Sequence, residues 1–306
     1  MTDAGCTTDL QCQTHVACVL DQCDPSLHVC TRTPHDSMCD DGVFCNGAER
    51  CDLTQGCVSG APPNCDDAIS CTIDRCDEAT KACVHDPENK LCPISHVCDP
   101  LLGCQAHAFA HDETTLYDVR IPSGQVKVIG KTNASLTDIA LSPNNVLYGV
   151  DFNALYTLDQ NKGAATFVKQ TNSGFLNAAD CAPDGTLYVG GGVTLYTMDT
   201  GTGLVTQVGT YPGGTSSSGD LAFIGSRLLA TANVGNVDSL VEFDLKNNTA
   251  KSLGVTGFSC IWGLAAYGST LYGLTCDGRI LSIDPNTAKS SQLNQINVTF
   301  RGAAAR

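Results

Sequence analysis

Beyond His111 the chain has no histidine; all seven precede residue 112. That absence excludes a histidine-based catalytic triad from the C-terminal two thirds and argues against a His-ligated metal there. Basic residues are also scarce, 17 Lys and Arg against 32 Asp and Glu, for a net charge of −15. Nucleic acid needs clustered basic side chains, so the composition argues against it, and it disfavours anionic membrane surfaces as well. No apolar run approaches the length of about 18 residues that a transmembrane helix needs. The N-terminus, MTDAGCTTDL, lacks both the basic and the apolar region of a secretion signal. Because the cysteine density implies an oxidising compartment, we expect a secreted or cell-surface protein whose signal has been removed, with Met1 in its place.

What the chain has in excess is cysteine, and unevenly. Sixteen of 19 lie between Cys6 and Cys104, and only Cys181, Cys260 and Cys276 lie beyond. Charge divides at the same point: residues 1–106 hold 17 acidic and 5 basic side chains, residues 107–306 hold 15 and 12. The change predicts two domains, 1–106 and 107–306. In the first, the starts Cys12, Cys39, Cys65 and Cys92 recur every 26 or 27 residues, and Asp24, Asp52, Asp77 and Asp99 each follow the third cysteine of a unit. A fixed period marks a repeat array. The fourth unit lacks its second cysteine, and Cys6 restores an even total.

Three chemistries compete for these cysteines. Zinc sites usually need pairs two to four residues apart, whereas gaps of five or more recur here. A redox centre would show C-x-x-C beside a βαβ pattern, and none is present. A disulfide framework fits, because units of this size with few large apolar side chains bury no core and need cross-links instead. Eight bonds are expected, with connectivity that spacing leaves open. Asp40-Asp41-Gly42 and Asp66-Asp67 offer the hard oxygens that calcium takes, but without the alternating comb of a calcium loop they read as turn residues. We therefore expect no cofactor, with calcium the one ion to weigh. The AGC before Thr7 has the outline of a lipoprotein cleavage box with Cys6 as acceptor, against which Asp3 stands where an apolar residue belongs.

The segment CDDAISCTIDRCD, Cys65 to Asp77, resembles the CTDC repeat of slime-mould extracellular matrix proteins. CDDGVFCNGAERCD, Cys39 to Asp52, resembles the disulfide-rich repeats of secreted myxobacterial surface proteins. The resemblance covers residues 6–104 and implies an extracellular spacer. Ala68 departs from it, standing where the repeat usually has Gly.

From residue 107 a second period takes over. TTLYDVRIPSGQVKVIG, NALYTLDQNKGAATFV, VTLYTMDTGTGLVTQVG, DSLVEFDLKNNTAKSLG and GRILSIDPNTAKSSQL each read as an alternating strand, a polar turn and a second strand. Leu116, Leu155, Leu195, Leu240 and Ile280 mark equivalent places, 39, 40, 45 and 40 residues apart. Two more strands precede most of these, giving the four-stranded blade of a β-propeller. The first unit has only three strands, and RGAAAR at the C-terminus resembles an innermost one. We therefore predict a mainly β chain, a small disulfide-stapled module followed by a five-bladed propeller closed by its C-terminal strand. The L-Y-x-[LIM]-D-x-x-T-G turns resemble those of propellers in general and point to no single family.

Asp159, Asp199, Asp244 and Asp284 recur at one place in four blades, which suits turn caps better than catalysts. The strands expected to line the channel carry less regular residues: Asp138, Asn177, Asp180, Asp220 and Arg301, with Trp262 the sole tryptophan. Asp138, Asp220, Trp262 and Arg301 are the candidate ligand-binding residues. A hairpin turning at Gly268-Ser269 sets opposite each other residues whose numbers sum to about 536, which predicts a Cys260–Cys276 disulfide and leaves Cys181 as a buried odd thiol. Asn133, Asn247 and Asn297 begin N-x-S/T sequons, which matter only in a glycosylating host. The expected function is a non-enzymatic surface protein, a spacer carrying a head that binds a protein or further copies of itself in an appendage or matrix. The alternatives are a lectin binding glycans between blades and, behind it, a secreted glycoside hydrolase.

Overall fold

The computed structural model describes residues 5–93 and 95–306. Contacts divide the chain into two compact units, residues 1–88 and 89–306. The first contains three two-stranded hairpins, Val19–Asp24 with Val29–Pro34, Arg50–Asp52 with Gly56–Val58, and Thr72–Asp77 with Ala82–Pro87. Every buried apolar side chain described in it is a cysteine, while Leu10, Leu27, Met38 and Ile73 lie exposed. Such a unit has no hydrophobic core and depends on covalent links.

Those links follow a rule that runs through the repeats. Cys12–Cys30, Cys39–Cys57 and Cys65–Cys83 join the first and fourth cysteines of one repeat, each pair 18 residues apart. Cys18–Cys51 and Cys45–Cys76 join the second cysteine of one repeat to the third of the next. Cys6, bonded to Cys23, takes the place of a preceding repeat's second cysteine, and its sulfur is therefore not available to carry a lipid. All sixteen module cysteines are disulfide-bonded. Closing a loop of this size is worth about 3 kcal/mol in the chain-entropy account. Asp24, Asp52 and Asp77 cap the hairpin turns, each accepting from the backbone N–H groups two and three residues on.

The second unit holds five antiparallel sheets. Four are consecutive four-stranded blades, whose inner strands are Asp138–Leu141, Ala178–Cys181, Ser216–Ile224 and Ile261–Tyr267. The first blade is assembled from both ends: Gly103–His111, Thr115–Ile121 and Val126–Lys131 are joined by Gly302–Ala305, which pairs with Gly103–His111 from Ala108 to His111. The C-terminal strand thus closes the ring and leaves no open edge on its axis. Leu116, Leu155, Leu195, Leu240 and Ile280 are all fully buried, which explains their recurrence. The unit begins upstream of the composition change near residue 106. His96–Asp99 pairs with the start of Gly103–His111, so one strand runs from a cysteine-bearing hairpin, stapled by Cys92–Cys104, into the first blade.

The fifth blade shows how a register departs from a turn-based count. Tyr267 faces Thr270 and Gly263 faces Leu274, so the hairpin around Gly268-Ser269 sums to 537, not 536. A bulge at Trp262 shifts the register by one, after which Ile261 faces Thr275. One residue further out, Cys260 is bonded to Cys276, and Cys181 is free and buried.

Candidate functional site

Strand register defines equivalent residues around the channel. Leu141, Cys181, Phe223, Ala266 and Ala305 pair with Leu147, Leu187, Leu228, Leu271 and Ala108. Four residues earlier on each inner strand stand Thr137, Asn177, Gly219, Trp262 and Arg301. These five, with Phe152 and Ser218, line a cavity of about 180 Å³ at one end of the propeller. The first ring, with Asp180 among its neighbours, lines a cavity of about 220 Å³. One end is thus polar and aromatic with a single cation, whereas the five equivalent residues at the other are apolar.

Trp262 is accommodated by a particular glycine. A Cβ on Gly219 would stand 2.8 Å from Trp262 Cδ1 and 3.2 Å from its Cγ, so the indole lies against a bare Cα. Arg301 is anchored through its backbone, whose N–H donates to the His111 carbonyl at 2.8 Å. Its guanidinium, 39% exposed, is 3.5 Å from the carboxylate of Glu113, itself 62% exposed. The Asn177 Oδ1 is buried without a hydrogen-bond partner. Thr137 Oγ1 lies in reach of the Leu176 and Val150 carbonyls, and Ser218 Oγ donates to Asp238. Beside this mouth the rings of Phe152 and Phe175 sit 6.4 Å apart, 56% and 76% exposed. Phe175 holds a φ of +69°, an uncommon conformation for a bulky residue.

Asp138 and Asp220 lie one layer below, both fully buried, and this separates them from Trp262 and Arg301. Asp138 accepts from its neighbour Ile139 and, at 2.6 Å, from the Ala179 N–H of the next blade. Asp220 accepts from Leu221 and from Leu264 of the next blade. Asp180 repeats the device, accepting from Cys181 and from Phe223 of the fourth blade. Each carboxylate therefore ties two blades together: of the four candidate residues, Trp262 and Arg301 line the mouth, while Asp138 and Asp220 are joints of the frame beneath it. Burial pushes both well above the ordinary carboxylate range, Asp138 further through the charge of Asp220. Burial raises Asp180 to about 7 and the Cys181 thiol to about 12.

His111 completes this layer. Its Nδ1 lies 2.7 Å from the Asp112 carbonyl, and burial lowers its pKa to about 4, so the ring is neutral. Nε2 is then a buried acceptor without a partner. A Cβ at Gly302 would fall 2.2 Å from Asp138 Oδ1 and 2.6 Å from that nitrogen, so this strand closes the ring only with glycine there.

The repeated aspartates behave as turn caps. Asp159, Asp199, Asp244 and Asp284 each accept from the N–H groups two and three residues on. Among the calcium candidates, Asp40 and Asp41 cap Gly42 and Val43, and Asp66 and Asp67 cap Ala68 and Ile69. Asp40, Asp41 and Glu49 still place an oxygen each within 4.8 Å of one another, and Asp67 and Asp74 do the same with a ring nitrogen of His85.

No protein-family model matches the chain, and no curated protein matches it. Among solved structures, TolB from Acinetobacter baumannii is 17% identical, with a TM-score of 0.43 over 64% of this chain; the chain spans about half of TolB's length, 53%. A chain of a nidogen–laminin complex is 14% identical, with a TM-score of 0.44 over 77% of this chain and 95% of its own. The Dos1 propeller is 17% identical, with a TM-score of 0.35 over 63% and 58%. None of them bears on a ligand for this chain.

Proposed function

We propose that the chain is a non-enzymatic extracellular or cell-surface binding protein, in which the stapled repeats act as a spacer and the propeller as a head that takes one ligand on its axis. The observation that carries the reading is the ring Thr137, Asn177, Gly219, Trp262 and Arg301 around a cavity. Where packing alone decides, the five blades carry the same residue type, as at Leu116 and its equivalents. At the mouth all five differ, so the blades combine into one asymmetric site. A lectin with a site between every pair of blades would need the opposite pattern, equivalent polar and aromatic groups in each. Asp138 and Asp220 do not favour hydrolysis, because both are fully buried and neither lines the cavity at either end of the channel, where a substrate would have to reach them. The disulfide density supports an oxidising location.

Stoichiometry is the test. The secreted, oxidised protein is screened on glycan and peptide arrays, and a hit is titrated by calorimetry. One equivalent per chain, lost in Trp262→Ala, supports the axial site. Five equivalents, or binding indifferent to Trp262, would replace it with the lectin reading.

A further inference from the structure

Resting on that axial-site reading, we propose that the mouth recognises the carboxylate of an acidic pyranose sugar. Three features converge. First, Arg301 is the cation of the cavity wall, and among the described residues its ion-pair partner is the mostly exposed Glu113, at 3.5 Å. So exposed a pair is weak, because water screens it and both long side chains lose freedom in holding it. A ligand carboxylate can displace Glu113 and meet the planar guanidinium with two parallel hydrogen bonds.

Second, Asn177 Oδ1 is a buried acceptor that no group satisfies. A buried acceptor left unpaired costs free energy, so the site favours a ligand that brings a donor. The neighbouring hydroxyls do not fill this role: Ser218 donates to Asp238, and Thr137 faces two backbone carbonyls. Third, Trp262 supplies an apolar aromatic wall, held against Gly219. The slightly positive C–H bonds on one face of a sugar ring suit the negative face of an indole.

A hexuronate carries an anion, vicinal hydroxyl donors and an apolar ring face on one compact body. An aspartate or glutamate side chain has the anion but no donor beside it. The cavity of about 180 Å³ has room for roughly six waters at about 30 Å³ each, the scale of one ring. The propeller offers no basic excess along which a long polyanion would run, with 15 acidic against 12 basic side chains in residues 107–306, which favours a single acidic unit over a run of them.

The sole tryptophan of the chain lies in this site, so intrinsic fluorescence reports on it without labelling. The full-length oxidised protein is titrated with methyl glucuronide, methyl glucoside and N-acetyl-glutamate amide. The expected result is a saturable change with the glucuronide and, from the loss of a bidentate ion pair, affinity at least about tenfold weaker for the neutral glucoside. Arg301→Gln should weaken glucuronide binding by a similar factor. Glu113→Gln should tighten it, and a misfolded variant does not produce a gain. Equal response to glucuronide and glucoside, or no dependence on Arg301 and Glu113, overturns the proposal. If the glutamate derivative binds and the glucuronide does not, the acidic sugar is refuted while the single axial site stands. If none of the three disturbs Trp262 and array ligands bind elsewhere, both fail.

Discussion

Asp180 is an acid held against apolar neighbours. Its ordinary value of 3.8 rises to about 7 because burial disfavours the charge. The folded state therefore holds a proton that the unfolded state releases, and the stability linked to this group is full below the unfolded pKa and is lost as pH rises through 7. Asp138 and Asp220 shift in the same direction. His111 acts oppositely, since burial lowers it from 6.5 to about 4 and its contribution is lost as pH falls below 6.5. Above pH 6.5 the buried acids of the propeller still respond, while in the repeat module His85, raised by its hydrogen bond to Asp74, titrates in the same direction. The Trp262 melting transition should thus fall by roughly 2–5 °C between pH 6.5 and about pH 8. Asp180→Asn should flatten that slope; an unchanged slope would remove Asp180 as its source. Gly219 makes the second residue-level case. Gly219→Ala places a methyl group 2.8 Å from Trp262 Cδ1, so the indole must move, the emission maximum should shift, and ligand titrated at the axial mouth should bind more weakly. Identical emission would mean that the indole does not depend on this glycine.

Among the elements, Gly302–Ala305 is the most exposed to test. Its partners from Ala108 to His111 lie on a strand that also pairs with Thr115–Ile121. Ala303 and Phe300 belong to the core shared by the first and fifth blades. Deleting residues 301–306 should leave a buried strand edge open to solvent, lower the melting temperature by several degrees and promote association, as read by fluorescence and light scattering. A melting curve that matches the intact chain would demote RGAAAR to a tail. Strand recurrence was legible in the sequence because Leu116, Leu155, Leu195, Leu240 and Ile280 solve the same packing problem five times. The mouth was legible only in part. Trp262, Arg301 and Asn177 stand out on the channel-lining strands, but Thr137 and Gly219 do not, and the equivalence of all five appears only when inner strands are aligned by register. Asp180 was legible as a residue of the channel-lining strands but its role was not: it makes the same inter-blade bond as Asp138 and Asp220 from two residues further along the strand.

At the scale of the molecule, the two units keep their structure by different means. Between residues 5 and 88 the buried apolar side chains are cysteines, so the repeat period was legible but the bonds between repeats were not. Cys23 faces Cys30 across a hairpin, yet Cys23 bonds Cys6 and Cys30 bonds Cys12; spacing alone cannot choose among such partners. The propeller instead rests on apolar clusters such as Leu116, Leu136, Ile139 and Leu147, or Leu240, Ile261, Leu271 and Leu281. Reduction should therefore divide the chain functionally. With a strong thiol reductant at neutral pH, trypsin should cut rapidly after Arg32, Arg50, Arg75 and Lys81, because each lost bond restores loop entropy to a unit without a core. The Trp262 transition should stay cooperative and fall only modestly, since Cys260–Cys276 closes a single hairpin. Peptide mapping of the oxidised chain should find Cys12 with Cys30, Cys39 with Cys57 and Cys65 with Cys83. Stoichiometric zinc released on thiol modification would sink the disulfide account. Loss of the Trp262 transition at the same reductant concentration as module cleavage would show that the propeller, too, stands on its disulfides.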